Sequence, residues 1–289
     1  MKPAPFRYRR PATEAEAVDT LATHPGAKVL AGGQSLVPLL SMRLAAPELL
    51  VDINGIGDLD RVEVTDDGVR VGALARHAAV LAHERARSTQ PLLELALRHV
   101  AHATIRNRGT VVGSVVHADP SAEMPVVLAL LDGSLDVAST RGRRTIPARE
   151  LFVGPMESAL RHDELAVEAY FPALAPGAGV AFDEIARRHG DYALCGVAAL
   201  VRLEGDRVVE ARTGYLSVAD VPTVVDVTAP LAPGVTDASL AEAGEVALSA
   251  LDPQDDIHAT ADYRAQLVRV LTSRVLRAAV DHAGQRTAA

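Results

Sequence analysis

The chain has 289 residues, of which 48% are hydrophobic and 23% charged, a composition typical of a globular protein with a substantial core. Its length fits one large domain or two smaller ones. The formal net charge is -8, and the lysines and arginines are scattered rather than clustered. Because a nucleic-acid groove and an anionic membrane surface both call for clustered positive charge, we expect neither kind of partner.

Location and redox chemistry are constrained by two further features. No apolar run follows the basic start of the chain, and no stretch reaches the roughly 18 consecutive apolar residues of a spanning helix. We therefore expect a cytoplasmic protein. Cys195 is the single cysteine, so the chain can form neither an internal disulfide nor a thiolate-built iron–sulfur or zinc site. We expect Cys195 to be a small buried apolar residue.

The first part of the chain has the pattern of a small α/β unit. A capping-box motif at Thr13 predicts the start of a helix, and a short strand is expected at 28–31. Ser35 can cap a helix over 36–40, and a second strand is expected at 49–53. The order strand, turn, helix, strand defines the unit.

The middle of the chain lacks this regular alternation and has an α+β pattern. A hairpin is predicted around Asp66-Asp67-Gly68, where two alternating runs meet. Residues 105–117 are expected to form a long loop with short extended pieces. The other predicted elements are helices near 78–84, 91–101 and 120–131, and strands at 134–139, 143–146 and 164–171.

The stretch 172–179 is rich in proline and glycine and is the best candidate for a linker. Strands are predicted after it at 180–185, 196–203, 208–218 and 222–227, followed by helices at 238–251 and 262–282. The fold class is therefore α+β, with a boundary near residue 175. We expect a first domain over 1–175, with subdomains of about 1–58 and 59–175, and a second over 176–289.

A first candidate for phosphate binding is Ala31-Gly32-Gly33-Gln34-Ser35, which lies between a predicted strand and a predicted helix. Such a turn presents consecutive backbone N–H groups, and the absence of side chains lets a phosphate approach the main chain. The start of the helix adds the positive end of its dipole. Taken alone, two glycines before a helix are more often just a tight turn.

A second candidate is the segment 104–114, in which Val111 and Val112 indicate burial. A buried loop must satisfy its backbone polar groups, and a bound diphosphate with its ribityl chain would do so. Glu123 follows at the start of a predicted helix, where its carboxylate could accept hydrogen bonds from ligand hydroxyls. The alternative for Glu123 is a charge that interacts only with the helix dipole.

Other nucleotide and catalytic motifs are missing from the sequence. There is no G-x-G-x-x-G after a strand, no G-x-x-x-x-G-K-[ST] and no G-x-S-x-G elbow, so a dinucleotide would be held in another way. His117 and Asp119 are too few ligands for a metal site, and none is expected. We assign no catalytic residue.

Four segments in order resemble the FAD-binding medium subunit of molybdenum hydroxylases, the family of the carbon monoxide dehydrogenase and xanthine dehydrogenase flavoproteins. They are Ala31-Gly32-Gly33-Gln34-Ser35-Leu36, the run from Ile105 to Ser114, the run from His117 to Pro125, and Arg187-Arg188-His189-Gly190-Asp191-Tyr192-Ala193. Each motif alone is weak, but four in order over essentially the whole chain are specific.

The resemblance implies a two-subdomain FAD-binding fold similar to the vanillyl-alcohol-oxidase (PCMH) type, followed by a C-terminal α/β domain resembling that of the carbon monoxide dehydrogenase flavoprotein. It implies non-covalent FAD, with both loops on the diphosphate, Glu123 at the ribityl or ribose hydroxyls, Leu165 near the adenine or flavin, and Asp191 and Tyr192 at the mouth of the flavin pocket. The implied FAD-binding residues are Ala31, Gly32, Gly33, Gln34, Ser35, Leu36, Thr110, Val111, Val112, Gly113, Ser114, Glu123, Leu165, Asp191 and Tyr192.

The sequence departs from the family pattern at three of its positions. Val112 replaces the first glycine of the usual Thr-Ile-Gly-Gly-Asn, and Ser114 replaces the asparagine. A branched side chain disfavours positive φ, so Val112 is expected to weaken FAD binding or to leave the contact to Gly113 alone. Glu184 stands where some relatives have a lysine near the cofactor, which changes the local charge.

Three functions fit these observations. The first is an FAD electron-transfer subunit that works with an iron–sulfur [2Fe–2S] small subunit and a molybdopterin large subunit, as a heterotrimer or its dimer. The second is a stand-alone FAD-dependent oxidoreductase that acts on a small molecule, with His189 or Asp191 as a base near Tyr192. The third is a non-enzymatic scaffold in which Val112 has ended FAD binding.

Overall fold

The N-terminal sheet is small and parallel. Its three strands lie in the order Arg7–Arg9 (β1), Leu49–Asp52 (β3) and Ala27–Leu30 (β2). The computed structural model describes residues 2–288, with side chains through Arg286. A short 3-10 turn, Ile53–Gly55, follows the last strand. The central strand β3 is buried at all four positions. The elements are β1 (Arg7–Arg9), α1 (Glu14–Thr23), β2 (Ala27–Leu30), α2 (Leu36–Met42) and β3 (Leu49–Asp52).

The middle region is built on a five-stranded antiparallel sheet in the order β4-β5-β10-β6-β7. Its apolar faces and the surrounding helices form one large core. The elements are β4 (Val62–Val64), β5 (Gly68–Gly72), α3 (His77–Ala82), α4 (Glu84–Thr89), α5 (Pro91–Leu97), α6 (Ala103–Arg106), α7 (Val111–His117), α8 (Glu123–Leu130), β6 (Ser134–Ser139), β7 (Gly142–Pro147), α9 (Ala148–Leu151), β8 (Phe152–Gly154), β9 (Glu157–Ser158) and β10 (Leu165–Pro172).

The expected long loop over 105–117 is wrong, because the structure has helices α6 and α7 there. Thr110 lies between them and caps α7, its hydroxyl accepting a hydrogen bond from the Gly113 amide at 3.1 Å. Val111, Val112 and Val115 are buried on one face of α7. The run of β-branched residues favours an extended backbone locally, but packing of this face against the core selects the helix.

The C-terminal part is a four-stranded antiparallel sheet in the order β11-β12-β13-β14, covered on both faces. Ala198 and Leu200 on one face join the large core, whereas Val197 and Ala199 on the other face form a second core with α11 and α12. The elements are β11 (Ala178–Ala186), β12 (Ala193–Glu204), β13 (Arg207–Leu216), β14 (Thr223–Asp226), α10 (Thr228–Leu231), α11 (Asp237–Ser249) and α12 (Ala261–Ala288).

Helix α12 lies directly on strand β11 at Gly179. A Cβ at Gly179 would be 2.1 Å from the carbonyl oxygen of Ala279 and 2.3 Å from the nitrogen of Ala283. Both are backbone atoms, so the helix would have to move away from the sheet to accommodate any side chain. The absence of a side chain at Gly179 therefore sets the spacing of the two layers.

We predict that Gly179→Ala lowers the free energy of unfolding by roughly 1–3 kcal/mol, because it overpacks a backbone contact. Urea denaturation followed by circular dichroism measures the change. Gly284→Ala is the control on α12, where an added Cβ meets no atom within 4 Å. It should keep or raise the stability, by up to about 1 kcal/mol, because alanine favours helix. Equal stability of the two variants would contradict the prediction.

Candidate functional site

The two glycine-containing loops meet in the structure. A Cβ at Gly32 would lie 2.4 Å from the carbonyl oxygen of Arg108 and 2.7 Å from the Cα of Gly109. The next residue, Gly33, has φ of +73°, a conformation that favours glycine. Both glycines of the first loop are thus required, one by close packing and the other by backbone geometry.

Asn54 and Arg76 hold the loops in this arrangement. The Asn54 side-chain amide donates to the Ala31 carbonyl at 2.8 Å, and the Arg76 guanidinium donates to the Arg108 carbonyl at 2.6 Å. The two side chains are joined because Arg76 also donates to Asn54 Oδ1 at 2.7 Å. We call this pair the Asn54–Arg76 bridge. Neither residue of the pair was predicted from the sequence, although a polar residue just after a buried strand was an available signal.

Asp52 holds the Asn54–Arg76 bridge in place through hydrogen bonds. Its carboxylate accepts hydrogen bonds from the Tyr8 hydroxyl at 2.5 Å and from the side-chain amide of Asn54 at 2.6 Å. Burial acts to raise the pKa of Asp52, but the hydrogen bonds from Tyr8 and Asn54 outweigh it and hold that pKa below its usual value. Asp52 therefore stays ionised and fixes the orientation of the Asn54 amide.

Each loop leads into the first turn of a helix. Few amides of these first turns remain for an anionic ligand. Val37, Val111 and Gly113 already donate to Gly33, Ala75 and Thr110, and Pro38 has no N–H. Within residues 2–288 the amides of Leu36 and Val112 have no partner, so they can donate to an anion. The side-chain cap expected from Ser35 is absent, since its backbone is already helical and its hydroxyl makes no capping bond. Thr110 does cap α7, and a Cβ at Gly113 would lie 2.6 Å from its hydroxyl oxygen.

Val112 does not occupy a position that requires glycine geometry. It lies in helix α7, it is not among the residues with positive φ, and its side chain is buried in the core. The physical reason for expecting weaker FAD binding is therefore wrong. Ser114 lies in the same helix and is partly exposed.

Glu123 is the most perturbed acid near the loops. It begins helix α8, and burial followed by the charge of Glu184 raises the pKa of its carboxyl to about 8. Glu123 is thus largely protonated at neutral pH and can donate a hydrogen bond, whereas the sequence analysis assumed an accepting carboxylate. A neutral carboxyl group does not interact with the helix dipole as a charged one would. The alternative role of Glu123, a charge that interacts only with the dipole, therefore loses its basis.

The segment between β11 and β12 brings Asp191 and Tyr192 to the same region. A Cβ at Gly190 would lie 2.5 Å from the His102 ring, so the segment packs against the residues just before α6. Asp119 and Glu123 lie within electrostatic range of the Tyr192 hydroxyl. Tyr192 is 69% exposed, as expected for a residue at the mouth of a pocket.

Leu165 lies apart from the other FAD-binding residues that the resemblance implies. Its side chain is 1% exposed in the hydrophobic core, and it pairs with Ala138 across the five-stranded sheet. A ligand could meet its neighbours but not its side chain. None of the implied residues lines a cavity of about 390 Å³ that borders the Asn54–Arg76 bridge and is lined by Asn54, Gly55, Ile56, Gly57, Asp60, Leu74, Arg76 and Ala79.

Two family models match the chain. Residues 4–174 match the FAD-binding domain in molybdopterin dehydrogenase, and residues 180–279 match the C-terminal domain of the carbon monoxide dehydrogenase flavoprotein. The chain therefore belongs to the family of FAD-binding subunits of molybdopterin-dependent dehydrogenases, and FAD is its cofactor.

Individual relatives and a solved structure are similar to this chain over nearly its whole length. The chain is 40% identical over 293 residues to the 6-hydroxypseudooxynicotine dehydrogenase complex subunit alpha of Paenarthrobacter nicotinovorans, covering 98% of this chain and 97% of the relative. It is 38% identical over 285 residues to the caffeine dehydrogenase subunit beta of Pseudomonas sp. (strain CBB1), covering 97% of each. A solved structure of quinoline 2-oxidoreductase from Pseudomonas putida 86 matches with a TM-score of 0.92 and 36% identity, covering 98% of this chain and 99% of that one.

These comparisons confirm the resemblance, the fold class and the cofactor, and they place the chain among subunits of oxidoreductase complexes. The individual FAD-binding residues and the division near residue 175 remain predictions. Within residues 2–288, no helix is long and apolar enough to cross a membrane. The same part of the chain has no group of three or more potential metal-binding side chains.

We predict that Gly32→Ala abolishes or strongly reduces FAD binding, because its methyl group would push the two loops apart. The flavin absorbance per chain at about 450 nm, measured after purification with excess FAD, tests this. Gly26→Ala is the control just before β2, where a Cβ makes only ordinary contacts with the Glu48 side chain at 3.6 Å. Full flavin content in Gly32→Ala would show that the loop contact is dispensable.

The raised pKa of Glu123 predicts that the stability of the FAD-free protein depends on pH. The pKa is about 8 in the folded chain, against about 4.3 when unfolded. The stabilisation by protonated Glu123 is therefore complete when the pH is below its pKa in the unfolded chain. It is lost as the pH rises through its pKa in the folded chain. Compared with Glu123→Gln, the wild type should lose up to about 1.4 kcal/mol per pH unit across this interval. Parallel stability curves in urea denaturation would contradict a buried protonated Glu123.

Proposed function

We propose that this chain is the FAD-carrying electron-transfer subunit of a molybdenum hydroxylase. It accepts electrons from a partner [2Fe–2S] subunit and passes them to an external acceptor, while a molybdopterin subunit acts on the substrate. The observation that carries the proposal is the contact of Gly32 with Arg108 and Gly109, which brings together two loops that are far apart in the sequence. The relatives named as subunits of dehydrogenase complexes support the same reading.

The loops would hold the FAD diphosphate through backbone amides. Ala31 to Leu36 would contribute the turn before α2, and Thr110 to Ser114 the start of α7. The Asn54–Arg76 bridge would orient both loops. Bound FAD supplies the capacity to accept and release electrons, and the protein supplies its position and its electrostatic surroundings.

The remaining implied residues would surround the rest of the cofactor. Glu123, held neutral, would donate a hydrogen bond to a ribityl or ribose oxygen. Asp191 and Tyr192 would border the flavin ring, and the backbone near Leu165 would lie at the other end. The division into domains at 1–175 and 176–289 belongs to this proposal, as does a cytoplasmic location.

The chain depends on partners for its electron supply. Cys195 is buried, and burial raises the pKa of its thiol to about 12, so it offers no thiolate to a cluster. Iron–sulfur centres and molybdopterin would therefore be held by separate subunits, in a heterotrimer or its dimer.

An affinity-tagged chain isolated from its native host tests the assembly. We expect two further polypeptides, molybdenum and iron in the eluate, and flavin bands that bleach when the substrate of the complex is added. The chain freed of its partners should keep FAD but not respond to substrate. Direct bleaching of the isolated chain by a small molecule would instead establish a stand-alone oxidoreductase.

Arg76→Met tests the bridge. Removing the guanidinium leaves the carbonyl of Arg108 and Oδ1 of Asn54 without their donor, so FAD should bind about tenfold more weakly while the fold persists. Arg85→Met is the control, since Arg85 also donates to a backbone carbonyl, that of Val64, at 3.2 Å. Fluorescence titration with FAD measures both dissociation constants. Unchanged affinity in Arg76→Met would remove the bridge from the site.

A further inference from the structure

Helices α1 and α2 cover opposite faces of the N-terminal sheet. Strand β3 lies between β1 and β2, so right-handed connections place the two helices on different sides. Helix α1 covers the inner face, where Leu49 and Val51 join the large core. Leu50 points to the other face, because successive side chains of a strand alternate. We call the side that carries Leu50 and α2 the outer face.

Several apolar side chains of the outer face are exposed. Within Leu36–Met42, Leu40 is the single buried residue, and Leu44 just beyond the helix is 72% exposed. Tyr8 belongs to the same face, because it lies opposite Leu50 in the pairing of β1 with β3. Exposed apolar residues gathered in one place are typical of an interaction surface. Those along β1 and α2 are Phe6, Tyr8, Val37, Met42 and Leu44.

Two hydrogen bonds join these residues into one surface. The Arg43 guanidinium donates to the Lys2 carbonyl at 3.2 Å, and the Arg7 amide donates to the Glu48 carbonyl at 2.9 Å. The first residues of the chain therefore run alongside the stretch that leads from α2 to β3. The end of α2 and the start of β1 are thus neighbours.

Unpaired cations lie among the apolar residues. Every lysine and arginine of residues 2–43 is exposed, and none of them forms an ion pair with another residue of 2–288. Glu14, at the start of α1, is paired instead with Arg143. Asp52 is engaged in hydrogen bonds with Tyr8 and Asn54. The cations are Lys2, Arg7, Arg9, Arg10, Lys28 and Arg43. We call these six cations and the five exposed apolar residues the N-terminal patch.

The charge of the N-terminal patch determines which occupant fits it. A second copy docked through the same patch would place six cations against six others, which costs free energy. Pairing of two β1 edges is opposed in the same way, because antiparallel strands would set Arg7 against Arg9. An anionic bilayer would be repelled by the rest of the chain, whose formal net charge is -8 overall. A protein surface with carboxylates around an apolar centre fits both the cations and the apolar residues.

We propose that the N-terminal patch docks an acidic face of a partner subunit in the dehydrogenase complex. The inference rests on the proposed function, which requires partner subunits. The exposed residues of α2 would form the dry centre of the contact, and the cations would pair with carboxylates at its rim. Arginine suits such a rim, because its guanidinium can donate two parallel hydrogen bonds to one carboxylate.

A zero-length cross-link tests the acidic partner. Both lysines of the chain, Lys2 and Lys28, belong to the patch, and a carbodiimide couples an amine to a carboxylate that touches it. In the complex isolated with a tagged chain from the native host, mass spectrometry should find either lysine joined to a partner's aspartate or glutamate. Replacing both lysines by arginine should abolish the cross-link and keep the complex, because the charges remain. Lysines joined only to acids of this chain would overturn the acidic partner.

A single thiol tests the apolar centre. Cys195, the one natural cysteine, is buried, so Leu44→Cys introduces a thiol that maleimide can distinguish. Labelling should be at least about tenfold slower in the complex than in the isolated chain, because a dry interface excludes the reagent. Ile257→Cys is the control, since Ile257 is 93% exposed in the C-terminal part, outside the patch. Equal labelling rates of Leu44→Cys in the complex and in the isolated chain would overturn the docking site.

Charge reversal tests the rim. Arg9→Glu should weaken the binding of the partner subunit by about tenfold and release it at a lower salt concentration. Arg207→Glu is the control, because it reverses an exposed charge at the start of β13. The flavin content per chain should be the same in both variants, which shows that each one is folded. Partner binding by Arg9→Glu that equals the wild type in strength and salt dependence would contradict the rim.

These measurements separate the inference from the proposed function. A tagged chain that retains its partners while Leu44→Cys stays fully labelled would leave the proposed function standing and overturn the docking site. A wild-type chain that carries FAD but brings down no partner would overturn both. Protection of Leu44→Cys that rises with the concentration of the isolated chain would indicate a second copy. Protection only by phosphatidylglycerol vesicles would indicate a membrane surface, and either result would overturn the acidic subunit as occupant.

Discussion

The site depends on the contact between Gly32 and the backbone of Arg108 and Gly109. That contact joins the parallel N-terminal sheet to the helices of the middle region at one point, where no side chain fits. The Asn54–Arg76 bridge maintains it with hydrogen bonds to both loops, and Asp52 holds the bridge from the end of β3. The free amides at the start of α2 and α7, those of Leu36 and Val112, belong to the two joined loops. Backbone amides of this kind suit a phosphate, whose charge they meet without a lysine-rich surface.

The electrostatics beyond the loops follow from how the C-terminal sheet is covered. One of its faces packs on α11 and α12, and the other on the helices of the middle region. Strand alternation therefore sends Asp183 toward Arg274 and Glu184 toward Glu123, so adjacent acids meet opposite environments. Burial disfavours the ionised form of an acid on the inner face. Glu123 is therefore protonated, and its carboxyl group can donate a hydrogen bond instead of only accepting one. The two halves of the chain thus set the protonation of Glu123 together.

Most regular elements were predictable from local patterns. Alternation identified the hairpin of β4 and β5 and the long strands of the C-terminal sheet, and helical periodicity identified α12. The expectation failed at 105–117, where a valine-rich run forms helix α7, because burial of one face outweighs the extended preference of branched residues. The positive φ that would exclude a branched residue at Val112 is also absent, because Val112 lies in helix α7. Its effect on FAD binding remains a prediction.

The family and the cofactor could be inferred from the sequence, because glycine spacing and ordered motifs are local properties of the chain. The sequence also shows that this chain cannot build a thiolate-ligated cluster, since it has one cysteine. The structure was needed to show that the loops touch, that Asn54 and Arg76 join them, and that the charge of Glu184 acts on Glu123. Those relations link residues far apart in the chain, and burial, which sets the protonation of Glu123, exists only once the layers have packed.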